Sequence, residues 1–429
     1  MNTPRITFSS SKNVRRLQTP AGARELYDSV SYCNRCGGCA QVCPTYQLQQ
    51  DELFSPRGRN QLLRLALERK IKLNPAEPRV RETLLTCTLC GRCHQTCAGQ
   101  IPTAEHVLEM RRALQLRALP HLLHTFLQLR SVHPRMFAAA ARAGLLLRRA
   151  GVIKLLRTLQ LTRLPGLTWL NHLDEILPAR VPPRLRFGTE DPNPQMIYLP
   201  SLEAEFILPD IAARTLQLAQ QKFKTTVWRN TPCGLFDYVY GDLRRCRRTL
   251  RKFLVRHAAT GNGSVPVLTD SIDVFLFLKR APQLFAGYTL WETRARRLAD
   301  AVRFVSDVIP PRFQDGKKPQ DATPVLVEPC ALFERQGTPF TQVQQILYTL
   351  FGKNLVECLY TDADVPAFGY VFVAPKTAAQ IELKAVTKIA RTQAKQVIVL
   401  SGWAALELTY LLKKFYPAAR VTHFVHANR

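Results

Sequence analysis

Residues 33–44 read CNRCGGCAQVCP, and residues 87–98 read CTLCGRCHQTCA. Both stretches place four cysteines at the same intervals, with two, two and three residues between them. These two runs hold eight of the twelve cysteines in the 429-residue chain. The repetition predicts two equivalent binding loops within one domain.

The spacing of each run is typical of [4Fe–4S] ligation in bacterial ferredoxins. Three cysteines at intervals of three surround one face of the cluster, and the fourth reaches the neighbouring cluster. Structural zinc, whose ligands usually come in pairs, and unbonded core cysteines are the alternatives, and they fit two such runs less well. We therefore expect two [4Fe–4S] clusters, the first on Cys33, Cys36, Cys39 and Cys97 and the second on Cys87, Cys90, Cys93 and Cys43.

The segment between the two runs carries a helix start. Ser55 is a typical N-cap residue, and Pro56 is favoured in the first turn of a helix. The following stretch, NQLLRLALERK (residues 60–70), has apolar residues at helical spacing. A capped amphipathic helix is therefore predicted between the loops. Residues 25–110 are then a helical ferredoxin module, and residues 1–24 are expected to be a flexible N-terminus.

Composition narrows the class of protein. The chain has 60 Lys plus Arg against 32 Asp plus Glu, for a formal net charge of +28, which favours an anionic partner. A hydrophobic content of 46% excludes wholesale disorder. We find neither a signal peptide nor an apolar stretch long enough to span a bilayer. Because cluster ligands must stay reduced until the cluster is inserted, the sequence indicates a cytoplasmic protein, which could lie on the inner face of the cytoplasmic membrane.

The positive charge is concentrated after the cysteine loops. Residues 111–173 contain 11 Lys or Arg residues and no acidic residue, and leucines are interleaved with them. We interpret residues 111–190 as a basic amphipathic helical linker. Three partners fit residues 111–173: an anionic membrane surface, an acidic protein or another part of this chain, and nucleic acid, of which nucleic acid is the least favoured.

The remainder of the chain has the pattern of an α/β fold. Strands alternating with helices predict mainly parallel sheets. Six strands are predicted in two similar sets, at residues 196–200, 224–228 and 265–270, and at residues 324–329, 354–360 and 396–402. The predicted fold class is therefore α+β multidomain, with α/β repeats at residues 191–318 and 319–429. No phosphate-binding glycine motif is present, so we predict no nucleotide site.

With these motifs in view, residues 25–110 resemble the family that includes the glycolate oxidase iron–sulfur subunit and the cluster-binding chains of heterodisulfide reductase. That resemblance implies electron transfer from a flavin-bearing 2-hydroxyacid dehydrogenase subunit to a quinone or another membrane-associated carrier. It also implies two C-terminal repeats with Cys-Cys-Gly signatures. Here those signatures are degenerate, since the first is Pro232-Cys233-Gly234 and the second corresponds to residues 365–367.

The resemblance places the other lost cysteines of the repeats at residues 268–271, at residues 327–331 and at Trp403. Of these repeat positions only Cys233 and Cys330 keep a cysteine, and two thiols cannot hold a cluster that needs several. We therefore expect no cluster in the C-terminal region. Cys233, Cys330, Cys246 and Cys358 are interpreted as buried apolar side chains, with a two-cysteine redox or metal site at Cys233 and Cys330 as the alternative.

The sequence thus predicts a non-catalytic electron-transfer subunit of an oxidoreductase complex. No side chain is a convincing general base, and His94 is expected at the surface beside the second cluster. The competing hypothesis is a structural or assembly subunit that docks a redox complex at the membrane. A [4Fe–4S] protein that binds nucleic acid is a further alternative.

Overall fold

The computed structural model describes residues 17–19, 22–116, 119–164, 166–183, 185, 188, 191–309, 324–327, 338–352, 355–358 and 370–427. Within these ranges most residues are helical, and the strands form one hairpin and two four-stranded sheets. None of the helices in these ranges is long and apolar enough to cross a bilayer.

The N-terminal region is a short hairpin followed by seven helices. The hairpin pairs β1 (Leu17–Thr19) with β2 (Gly22–Arg24), inside the stretch predicted to be flexible. The helices are α1 (Leu26–Ser31), α2 (Gly38–Gln41), α3 (Pro44–Gln49), α4 (Pro56–Leu67), α5 (Pro78–Leu85), α6 (Arg92–Gln95) and α7 (Thr103–Ala113). Leu63, Leu84 and Val107, one each from α4, α5 and α7, are fully buried and form the centre of this module.

The predicted helix between the cysteine loops is confirmed as α4. The Ser55 hydroxyl accepts a hydrogen bond from the Gly58 N–H at 2.8 Å, which caps the helix. Gly58 is required here, because a Cβ at this position would lie only 1.9 Å from the Glu52 carbonyl oxygen. The start of α4 therefore packs directly against the turn that follows the first cysteine loop.

The basic segment folds into four helices, as predicted. These are α8 (His121–Val132), α9 (Pro134–Arg149), α10 (Val152–Thr158) and α11 (Trp169–Ile176). Arg148 holds α9 against α11 by donating to Asp174 at 2.7 Å and to the Leu177 carbonyl oxygen at 3.0 Å. The predicted boundary at residue 110 is wrong by several residues, since Arg111 and Arg112 belong to α7.

The first α/β half contains four parallel strands in the order β4-β3-β5-β6. They are β3 (Met196–Leu199), β4 (Thr225–Val227), β5 (Val267–Thr269) and β6 (Val302–Phe304). The helices are α12 (Leu202–Phe206), α13 (Pro209–Gln220), α14 (Leu235–Val239), α15 (Leu243–Ala259), α16 (Ile272–Lys279), α17 (Ala281–Leu284) and α18 (Thr289–Ala301). The central strands β3 and β5 are buried along their length, as expected for a parallel sheet covered by helices.

The second half repeats this topology with strand order β8-β7-β9-β10, also parallel. Its strands are β7 (Pro324–Val327), β8 (Val356–Cys358), β9 (Gln396–Val399) and β10 (Arg420–His423). Its helices are α19 (Thr338–Phe351), α20 (Tyr370–Val373), α21 (Pro375–Arg391) and α22 (Gly402–Phe415). All six predicted strands are confirmed, whereas the fourth strand of each half, β6 and β10, was not predicted.

The three parts of the fold pack on one another. The halves meet where the Ile272 N–H donates to the Leu400 carbonyl oxygen at 3.2 Å. The N-terminal module contacts the first half through Tyr238, whose hydroxyl donates to Glu105 at 2.9 Å. It contacts the second half through Tyr370, whose hydroxyl donates to the Thr86 carbonyl oxygen at 2.6 Å. Both halves therefore reach the region of the cysteine loops.

Candidate iron–sulfur sites

The two cysteine loops have the same backbone conformation. The second residue after the first cysteine is left-handed in both, with φ of 56° at Arg35 and 58° at Leu89. The glycine two residues later is also left-handed, with φ of 86° at Gly37 and 73° at Gly91. These reversals curl each loop into a concave backbone, which favours N–H groups directed at a bound anionic group.

The thiols that come together belong to different runs. The pKa of Cys39 is raised to about 11 by burial, then by the charges of Cys33 and Cys97, and less by Cys43. Burial also raises the pKa of Cys93, as do the charges of Cys90, Cys87 and Cys43. Cys97 thus lies with the first run. Cys43 lies between the two groups and interacts with both.

The first cysteine site lies at the surface. Cys36 is exposed, and its neighbours Cys33 and Cys39 are half-buried. Arg57 is the nearest cation, donating to the Arg35 carbonyl oxygen at 3.2 Å and pairing with Glu52 at 2.6 Å. Because the side chains of Arg57 and Glu52 are 35% and 47% exposed, solvent screens this positive charge.

The second cysteine site is shielded by a buried arginine from α4. Arg59 is 1% exposed, and its guanidinium donates to the Phe54 and Thr83 carbonyl oxygens and to the Thr45 hydroxyl. Burial alone would lower the pKa of Arg59, but the charges of Cys87 and Cys43 outweigh it and raise the pKa. A permanent positive charge is therefore held beside these thiols in a low-dielectric environment.

A second buried arginine supports the same loop. Arg111, in α7, is 3% exposed and donates to the carbonyl oxygens of Leu84 at 2.7 Å and Cys87 at 2.9 Å. It also donates to the Val239 carbonyl oxygen at 3.2 Å, which ties the loop to the first α/β half. Burial lowers the pKa of Arg111, although the neighbouring charge of Cys87 opposes this effect.

The second α/β half covers this site through α20. Tyr370 is 6% exposed, and burial, opposed by Arg59 and reinforced by Cys87, raises its pKa far above the usual range. Its side chain therefore lies close to both groups. Residues from α4, α7 and α20 together enclose the second cysteine site, which sequence reasoning did not identify because no spacing rule marks them.

A chain of buried polar groups lies behind the second loop. The Asn60 amide donates to Thr103 at 3.0 Å, and its oxygen lies 2.8 Å from His106 Nδ1. Burial lowers the pKa of His106 to about 3, and the neighbouring His94 lowers it further, so this imidazole is neutral. His94 itself is buried at 7% exposure, and its prediction as a surface residue was wrong. The loop packs against α7, which removes His94 from solvent.

The donor set fits iron–sulfur clusters. No three His, Cys, Asp or Glu side chains in the described ranges converge on one metal-ion position. In a [4Fe–4S] cluster each cysteine binds a different iron, so the sulfurs stand further apart than around one ion. The thiols, concave loops and buried guanidiniums would hold such a cluster and tune its potential.

The C-terminal cysteines lie apart from these two sites. Cys246 is fully buried and Cys233 is half-buried, as expected of apolar side chains. Cys330 lies outside the described residues, as does the side chain of Cys358, so the Cys233–Cys330 alternative remains an expectation. The positions at which the resemblance places lost cysteines converge: Cys233, Ser271 and Trp403 line one cavity.

These features define the class of the N-terminal region. Residues 29–101 match the family model for a 4Fe-4S dicluster domain. The chain is therefore an iron–sulfur protein that carries two [4Fe–4S] cysteine sets of the electron-transfer type.

A particular relative is more distant. Over 137 residues, 31% of this chain, the sequence is 33% identical to the glycolate oxidase iron-sulfur subunit of Escherichia coli strain K12. The match covers 32% of that protein, so the chain aligns with about a third of the length of this relative. Distant homology to that subunit is thus established for the matched segment.

Proposed function

We propose that this chain is an electron-transfer subunit with two unlike [4Fe–4S] clusters. The first is bound by Cys33, Cys36, Cys39 and Cys97, and the second by Cys87, Cys90, Cys93 and Cys43. The observation that carries this proposal is the grouping of thiols across the two runs, with Cys97 beside Cys39 and Cys43 beside Cys93. Each cluster would accept and release one electron, and the chain supplies its ligands and electrostatic surroundings.

The donor we propose is a flavin-bearing dehydrogenase subunit that oxidises a small 2-hydroxyacid, and the acceptor is a quinone or another membrane-associated carrier. Homology to the glycolate oxidase subunit supports this pairing. Chemistry on the organic substrate would belong to the partner, since the cysteine sites contain ligands rather than acid–base groups.

We further propose that α9 and α10 place the chain on an anionic surface at the cytoplasmic face of the membrane. Among their residues only Phe137 is buried, and Leu146, Leu147 and Leu155 are each about half exposed. Exposed leucines beside basic residues and without acidic ones favour anionic lipid head groups. The same face would serve the competing role of an assembly subunit that docks a redox complex at the membrane.

Loss of one cluster separates electron transfer from assembly. In Cys39→Ser and Cys90→Ser variants, electron flow from substrate to quinone should fall to background while the complex still co-purifies. Cys246→Ser, a buried cysteine outside both sites, is the matched control and should keep full flow. Retained flow in either ligand variant would contradict the electron-transfer role and favour assembly.

A further inference from the structure

A polar cavity of about 50 Å³ lies at the carboxyl ends of β3, β5 and β9. Its wall is formed in part by the serine that follows each strand: Ser201, Ser271 and Ser401. In the first sheet, β3 and β5 are the neighbouring strands at which the direction of the connections reverses. Ligands of open parallel sheets bind in this crevice, so the cavity is in the expected place for a site.

Three buried polar atoms around the cavity have no hydrogen-bond partner among the described residues. They are Asp273 Oδ1, Arg130 Nε and Trp403 Nε1. Asp273 is 2% exposed and Arg130 8% exposed, so water outside the protein does not satisfy them. Buried polar groups almost always have a partner, and these three belong to residues that line one cavity. The partner is therefore to be sought inside the cavity.

The unpartnered atoms define what a ligand must offer. Arg130 Nε and Trp403 Nε1 are donors only, so the ligand needs acceptor oxygens for both. Asp273 needs a further polar atom, since its contact with Ser401 leaves Oδ1 without a partner. Burial raises the pKa of Asp273 and of Glu203. Both acids can then be neutral and would not repel an anion.

The approach to the cavity is strongly basic. Leu119, His124, Gln128 and Tyr240 line both the cavity and an adjoining groove. The groove carries eight Lys or Arg side chains, from α7 and α15, and one acidic side chain, Asp242. A groove of one sign attracts and concentrates ions of the opposite sign. The electrostatics therefore favour an anionic ligand.

The volume limits the ligand to a few atoms. A water molecule needs about 10–15 Å³ of such space, so about 50 Å³ holds roughly three to five atoms of that size. We propose that the cavity binds a small carboxylate with a second oxygen on the adjacent carbon. Its carboxylate accepts from Arg130 and Trp403, and its hydroxyl or keto oxygen bonds Asp273. The proposal does not depend on electron transfer by this chain.

Calorimetric titration of the cluster-loaded full chain with glycolate, acetate and ethylene glycol tests the site. Glycolate should bind saturably. Acetate, which lacks the second oxygen, should bind about fivefold more weakly, as expected for one lost hydrogen bond, and ethylene glycol should not bind. Absence of binding by both carboxylates, the result for a cavity that holds water only, would overturn the proposal. So would equal binding of all three probes.

Two variants assign the contacts. Trp403→Phe keeps a ring at this position but removes the N–H, and it should weaken glycolate and acetate alike by about 3- to 10-fold. Asp273→Leu should reduce glycolate affinity to that of acetate and leave acetate unchanged. Trp291→Phe, in α18 and outside the cavity, is the control and should change neither. Unchanged affinities in both cavity variants would refute the assignment.

Iron content measured on the same samples keeps the two proposals separate. Saturable glycolate binding by a chain with almost no iron would support the cavity and contradict the clusters. Loss of binding in a chain with about eight irons contradicts the cavity alone.

Discussion

The two cysteine sites share a backbone but differ in their surroundings. Both loops use the same pair of left-handed positions. The first site keeps an exposed cysteine and an exposed ion pair, whereas the second has two buried arginines and a buried tyrosine around it. Identical ligand chemistry in unlike surroundings should give unlike redox potentials, because charge, hydrogen bonds and solvent exposure set the potential of a cluster.

The largest expected effect comes from the fourth cysteine of each run. Cys97→Ser and Cys43→Ser should each reduce the iron content from about eight to about four per chain, since one cluster is lost. If the ligands cross between runs, Cys97→Ser leaves the shielded cluster and Cys43→Ser leaves the exposed one. The EPR relaxation of the remaining cluster, with and without a paramagnetic ion in the solvent, identifies it. The opposite assignment would show that each run binds its own cluster.

Removing a buried charge should be the next largest effect. Arg59→Gln or Arg111→Gln should lower the potential of the second cluster by on the order of 100 mV, because the reduced cluster carries one more negative charge. EPR-monitored redox titration gives this value. A shift of the first cluster instead would place these arginines at the wrong site.

The exposed counterpart should respond less. Arg57→Gln should lower the potential of the first cluster by about a few tens of millivolts, because water and Glu52 screen its charge. This shift should shrink further at high salt, whereas the shift caused by Arg59→Gln should persist. Equal shifts at both sites, with equal salt dependence, would remove the electrostatic contrast between them.

The smallest effect is expected from the tyrosine that covers the second site. Tyr370→Phe leaves the Thr86 carbonyl oxygen without its 2.6 Å donor and should cost about 1 kcal/mol in the free energy of unfolding. Tyr27→Phe, which removes an exposed hydroxyl bonded to Glu68 at 3.3 Å, is the control and should change stability by less than about 0.5 kcal/mol. Urea unfolding under anaerobic conditions measures both. A neutral Tyr370→Phe would mean that the hydroxyl contact does not hold the second half on the loop.

The sequence carries the cysteine loops because ligand spacing is a local property. Ser55 and Pro56 likewise mark α4 through local capping rules. Arg59, Arg111 and Tyr370 could not be identified in this way. Their importance arises from residues up to 284 positions apart meeting in three dimensions, as Tyr370 and Thr86 do.

The same distinction holds in the α/β halves. Buried apolar strands such as β3 and β9 were predicted, while β10 was missed because its sequence, RVTH, is short and partly polar. The polar cavity could be anticipated only as a set of positions at which cysteines are absent. What replaces them, an arginine, an acid and an indole without partners, became evident when the two halves were seen packed together.

The most direct test of the contrast between the sites is an EPR-monitored redox titration of the anaerobically purified full chain, with a paramagnetic ion added to the solvent. Two one-electron waves are predicted. The wave at higher potential should belong to the cluster that the ion relaxes least, since Arg59 and Arg111 stabilise its reduced form. A single shared potential, or a higher potential for the exposed cluster, would contradict the account.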